Sequence, residues 1–177
     1  MAGTSKHGLV QVYTGNGKGK TTAAMGAIAR ASGHGLRVFL VSFMKGSYKQ
    51  GEYKSLALLP GVKIAQFGLR KFTEPGEVKE EEKAQAVSAL AAARKAVKSG
   101  DYDLVVLDEV NVALSYDLIK LDDVLSLIRQ KPAPVELILT GRYAPEKLLE
   151  AADLATEMVK IKHPFDEGIK ARKGIEF

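Results

Sequence analysis

Two short clusters in this chain have the residue types and spacing for polyphosphate chemistry. The first is Gly15-Asn16-Gly17-Lys18-Gly19-Lys20-Thr21-Thr22. Gly15, Gly17 and Gly19 can adopt positive φ, so successive backbone N–H groups can face inward on an anion. Lys20 supplies a charge on a flexible stem for the outer phosphates, and the Thr21 hydroxyl is placed as an oxygen ligand for Mg²⁺. The second cluster is Asp108-Glu109, two carboxylates at the end of the apolar run Leu104–Leu107. An acid at the tip of a buried strand is the second half of such a phosphate site, holding Mg²⁺ directly or through water. Neighbouring strand residues point to opposite faces, so the spacing leaves open which of Asp108 and Glu109 touches the metal. One position departs from the motif G-x-x-x-x-G-K-[ST], which would begin with glycine where this chain has Thr14.

The elements around these clusters must be a strand, a tight loop and a helix start. Val10 and Val12 alternate into the loop, and Ala23, Ala24, Ala27, Ile28 and Ala31 follow at helical spacing. The helix beginning near Lys20 adds unpaired N–H groups and the positive end of its dipole. Leu36–Phe43 reads as the next buried strand, which completes a right-handed βαβ unit. Residues 44–60 form a glycine-bearing loop ending in a short apolar turn at Leu56–Leu59, and Val62–Phe67 is a third strand. Glu77–Ser99 is a long helix, acidic at its start and basic at its end, with Ala84, Val87, Leu90, Ala91 and Val97 expected on its core face. Further strands are expected at Asp103–Asp108, Val135–Thr140 and Ala155–Lys162, and helices at Asn111–Tyr116, Leu121–Gln130 and Pro145–Ala152. Strands alternating with helices make an α/β domain with a mostly parallel sheet and helices on both faces.

Composition narrows the field. One domain is expected over the 177 residues, with residues 1–7 a short tail. There is no cysteine, hence no disulfide framework, thiolate nucleophile or cysteine-held metal cluster. No apolar stretch approaches the roughly 20 residues needed to cross a bilayer, and MAGTSKHG lacks the apolar core of a secretory signal, so a cytoplasmic location is expected. The net charge of +5 favours anionic partners, which nucleotide phosphates already satisfy. A RecA-like ATPase acting on nucleic acid is the main alternative, with Glu109 activating water and the basic tail holding phosphates, but the chain lacks an aromatic platform for strand binding. A small-molecule kinase would leave ADP, and a GTPase switch would need the absent N-K-x-D motif.

The loop GNGKGKTTAA at Gly15–Ala24, the strand end VVLDE at Val105–Glu109 and the turn TGR at Thr140–Arg142 resemble the P-loop-type ATP:cob(I)alamin (corrinoid) adenosyltransferases. So do ADLATEM at Ala152–Met158 and the tail KHPFDEGIKARKGIEF; the missing first glycine at Thr14 also agrees, and the likeness runs from about Leu9 to Phe177. The resemblance implies a RecA-like sheet, a homodimer, and transfer of the 5′-deoxyadenosyl group of ATP to Co(I) of a corrinoid with release of triphosphate. It also implies that the phosphates run through the loop in reverse of the usual sense. Co(I) is itself the nucleophile, so no side-chain nucleophile is required; the protein must stabilise the leaving group, a task for Lys20, the Gly17–Thr22 amides and Mg²⁺ on Thr21 and Glu109. By the same likeness Lys45, Arg142, His163 and Lys173 line the nucleotide or corrinoid site, with 163–177 a C-terminal extension over it. Some relatives place a Phe-x-Trp pair beneath the corrin; this chain has no Trp, and Phe72 is the candidate for part of that face, with Phe67 behind it. With no redox motif in the chain, the electrons come from a separate reductase, expected to be a flavoprotein.

Overall fold

The computed structural model describes residues 7–46, 50–69 and 79–176. Six strands form one sheet in the order β3-β2-β4-β5-β1-β6, and every adjacent pair is parallel. They are β1 (Val10–Thr14), β2 (Val38–Ser42), β3 (Val62–Gln66), β4 (Leu104–Asp108), β5 (Glu136–Thr140) and β6 (Leu154–Glu157). The helices are α1 (Lys20–Gly33), α2 (Gly51–Leu56), α3 (Glu80–Ser99), α4 (Val110–Ser115), α5 (Leu121–Arg129) and α6 (Glu146–Glu150).

The period of two along each strand sorts side chains between two cores. Val38, Leu40, Leu104, Val106 and Ile138 face α1 and α2 through Ala24, Met25, Ile28, Tyr53 and Leu56. Val41, Val105, Leu107, Leu137 and Leu139 face the other way, onto α3 to α6. Both faces of the central strands are therefore buried, which is why their sequences read as continuous apolar runs. The expected α/β architecture with helices on both faces is what forms, and the sheet is wholly parallel.

Three expectations about elements need correction. The core face of α3 is Ala86, Ala89, Leu90, Ala93, Ala96 and Val97, whereas Ala84, Val87 and Ala91 are exposed. The expected Leu90 and Val97 do lie on that face, and alanines fill most of the rest of it. Residues 51–56, assigned to a loop, form α2, whose Tyr53 and Leu56 are buried. The last strand stops at Glu157 because the chain there turns under the glycine-rich loop: Met158 N donates to Thr14 O at 2.8 Å, and Gly17 N donates to Met158 O at 2.6 Å.

Candidate nucleotide site

Because the sheet is wholly parallel, every strand ends on the same edge, and the residues following those ends are gathered there. β1 delivers the glycine-rich loop, β2 delivers Met44 and Lys45, β4 delivers Asp108 and Glu109, and β5 delivers Thr140, Gly141 and Arg142. Together they enclose a cavity of about 470 Å³, lined by Gly17 to Thr22, Lys45, Glu109 and Arg142 among others. That volume lies within the range of small-molecule sites.

The loop turns through Gly15 at φ 95° and Gly19 at φ 110°, which only glycine adopts without strain. Gly17 serves differently from the expectation. Its φ is not positive; a Cβ there would lie 2.7 Å from Met158 O, so glycine is required for close approach. Its N–H is taken by that same carbonyl, which leaves the amides after it for an anion. The Lys20 side chain is buried and its Nζ donates to Gly17 O at 2.6 Å. Burial and then Arg142 lower its pKa from the ordinary lysine value, with Glu109 and Asp108 partly opposing them.

Asp108 is fully buried beneath the cavity. Its Oδ1 accepts from Thr21 Oγ1 at 2.9 Å and from Thr140 Oγ1 at 2.6 Å, and its Oδ2 accepts from Lys45 Nζ at 2.7 Å. Glu109 lines the cavity, and its carboxylate lies 3.3 Å from Lys45 Nζ. Its backbone is left-handed at φ 64°, which swings the side chain out of the strand direction, while its N–H donates to Thr140 Oγ1 at 3.1 Å. Met44 at φ 58° and Tyr143 at φ 63° share that conformation at the ends of β2 and β5. Three non-glycine residues in a disfavoured region around one cavity mark a site held by its surroundings. Burial alone would lower the pKa of Lys45, but the adjacent Asp108 and Glu109 outweigh it and hold it raised. Burial pushes the Tyr53 phenol up to about 12; its hydroxyl lies 2.7 Å from Ser42 Oγ.

Lys18, Lys20, Thr21, Thr22, Lys45, Glu109 and Arg142 thus meet on one cavity, with Asp108 directly below. Gly15 is buried behind the loop, and Asn16 is exposed outside the lining. His163 and Lys173 are also outside the lining; His163 Nδ1 accepts from Phe165 N at 3.1 Å and caps the turn Pro164–Glu167. Phe72 lies outside the described residues, and Phe67 packs on the core. Sequence reasoning quoted Thr140 within TGR but missed its role, which is to tie the Asp108 carboxylate to the Glu109 backbone N–H. It missed Tyr116 and Tyr143 on the cavity wall and Glu176, which reaches the cavity from the far end of the chain. Glu176 pairs with Lys18 at 3.0 Å, and hydrogen bonds from Arg172 and then Lys18 hold its carboxyl at about 2. No local pattern signals a contact 158 residues away.

Thr21, Asp108 and Glu109 offer only oxygen donors, which suits Mg²⁺. Among the described residues no group of three or more His, Cys, Asp or Glu could cage a metal alone. The Lys45 ammonium stands as a cation between the two acids.

Fold and loop together define a nucleotide-binding α/β protein of the P-loop class. The structure of the RadB recombinase superposes with a TM-score of 0.52 over 89% of this chain and 77% of that one, at 16% identity, a likeness of fold alone. Residues 6–177 match the model of the family described as ATP:corrinoid adenosyltransferase BtuR/CobO/CobP, and the chain belongs to that family. The corrinoid adenosyltransferase of Pseudomonas aeruginosa is 40% identical over 97% of this chain and 85% of its own length. The corrinoid adenosyltransferase CobA of Salmonella typhimurium is 37% identical over 97% and 87%. The activity is therefore ATP-dependent adenosylation of corrinoids, and the alternative of an ATPase acting on nucleic acid is not favoured.

Proposed function

We propose that the cavity holds the triphosphate of ATP as a leaving group, displaced when Co(I) of a reduced corrinoid bonds to C5′. The C5′–O bond breaks and its electron pair leaves with triphosphate. The observation that carries this reading is the convergence of Lys20, Lys45 and Arg142 with the loop amides after Gly17 on one cavity. These groups act on charge that grows as the bond breaks, where preorganised donors are worth most. Lys20 leaves the Gly17 carbonyl for phosphate oxygen, and Arg142 meets the chain of phosphates from the β5 side. Thr21, Asp108 and Glu109 hold Mg²⁺, which supplies further neutralisation of the departing oxygens. Asn16, Lys18 and Thr22 border the phosphates, and Gly15 and Gly19 shape the turn.

The corrinoid is placed at the cavity mouth, with Phe72 supplying part of its aromatic face. His163 and Lys173 are assigned to the corrinoid or nucleotide from the C-terminal segment, which covers the site as an extension; the Lys18–Glu176 pair supports that placement. A separate flavoprotein delivers the electrons, the chain works as a homodimer, and the enzyme is cytoplasmic. No helix among the described residues is long and apolar enough to cross a membrane.

Inorganic triphosphate tests the leaving-group assignment. It should compete with ATP for the wild-type protein and lose that competition in Lys20→Ala. Competition by adenosine but not by triphosphate would overturn the reading.

A further inference from the structure

Lys45 reaches its two acids from an anchored backbone. Lys45 N donates to Phe67 O at 2.9 Å, and Gln66 Nε2 donates to Lys45 O at 3.3 Å. On either side, Met44 is left-handed and Gly46 lies directly on the Gly68 backbone. The four-carbon side chain is flexible, and its end carries a compact point charge. That charge sits 2.7 Å from Asp108 and 3.3 Å from Glu109, while Thr21 Oγ1 holds the other Asp108 oxygen. The ammonium therefore stands against both carboxylates assigned above to the metal. Mg²⁺ bound to these carboxylates at about 2.0–2.1 Å would stand within a few ångströms of that ammonium, and the repulsion between the two cations disfavours holding both.

From this geometry we infer that Lys45 is an internal counter-ion that neutralises the metal's two acids until nucleotide arrives. Mg²⁺ then enters only together with the triphosphate, whose anionic oxygens draw the Lys45 ammonium off Asp108 and Glu109. The same swing brings a second cation to the leaving group at the moment the metal takes over the acids. Lys20 behaves in parallel, its amine resting on the Gly17 carbonyl until phosphate replaces that acceptor. The inference rests on the metal assignment under Proposed function and adds an order of events to it.

The test is Mn²⁺ binding followed by electron paramagnetic resonance, with wild type, Lys45→Met and Lys45→Arg free of nucleotide. Wild type and Lys45→Arg should bind Mn²⁺ weakly, and Lys45→Met at least about tenfold more tightly. Mn²⁺ should also raise the melting temperature of Lys45→Met and leave that of the other two nearly unchanged. If Lys45→Met folds poorly because Asp108 has lost its partner, Mn²⁺ should restore the fold where KCl does not. Equal Mn²⁺ affinity in wild type and Lys45→Met, or a misfolded Lys45→Met that Mn²⁺ fails to rescue, would overturn the inference. Failure of the metal assignment reads differently: Mn²⁺–ATP would then bind Thr21→Ala and Glu109→Gln as tightly as wild type.

Discussion

Lys20 carries its charge at a disadvantage, and this sets how the site should respond to pH. Burial and the neighbouring Arg142 lower its pKa from the ordinary 10.5, so it loses its proton earlier than a free lysine as pH rises. Polyphosphate prefers the protonated form, so ATP affinity should fall on an alkaline limb that begins below 10.5. Lys45 and, behind it, Tyr53 do not share that limb. Lys45 is held cationic by Asp108 and Glu109, and the Tyr53 phenol stays neutral to about 12. ATP titrations across this range check the point; affinity level up to pH 10.5 would contradict it. Lys20→Ala should lower turnover by about 10²-fold or more while leaving the fold intact, as removal of a preorganised charge-stabilising donor does. Lys20 and Thr21 were legible in the sequence because glycine spacing and the GKT order leave a trace in consecutive residues. The Asp108 partners were not: Thr140 lies 32 residues away and Lys45 63, and only the parallel sheet brings them together.

At the scale of elements, the strand ends matter more than the strands. Met44, Glu109 and Tyr143 each turn left-handed on leaving β2, β4 and β5, at a cost of roughly 1 kcal/mol apiece. Tyr143 is more than half exposed, so Tyr143→Gly should relieve that strain and raise stability by about 1 kcal/mol in denaturant titration. The same change removes an aromatic from the cavity wall, and substrate affinity should drop. Gly17→Ala makes the opposite demand. Its Cβ would press on Met158 and Val159 carbonyl oxygens at 2.7 and 2.8 Å, so the loop must move off the turn after β6. Destabilisation of about 1–3 kcal/mol with a loss of ATP binding is expected. Most elements were readable from period and composition, and the exceptions share a cause. On α3 the expected Leu90 and Val97 are on the core face, but Ala84, Val87 and Ala91 are not, because in a helix this rich in alanine the apolar positions do not single out one stripe. In α2 a six-residue segment has too little length to display a period, and its burial comes from α1 and β2. The β6 end was overrun because Met158 and Val159 look strand-like while their backbone supports the loop.

For the whole molecule, the parallel sheet places chemistry on one edge and leaves the C-terminal segment to reach it from outside. β6 is an edge strand exposed along its length, and the chain beyond it touches the loop through Glu176 and Lys18. Ending the chain after Gly168 should leave the melting temperature nearly unchanged, since the removed residues are almost all exposed. It should nevertheless alter nucleotide affinity, because Lys18 loses its carboxylate partner at the cavity. Equal affinity in the shortened and full chains would remove the segment from the site. The parts serve one claim: the polyphosphate is gripped so that a reduced cobalt can displace it from the sugar carbon. Anaerobic reaction with Mg-ATP and reduced cobalamin tests this most directly, with the corrinoid spectrum and the phosphate product followed together. Triphosphate formed in step with a cobalt–carbon bond is the predicted result; ADP and orthophosphate with an unalkylated corrin would contradict it.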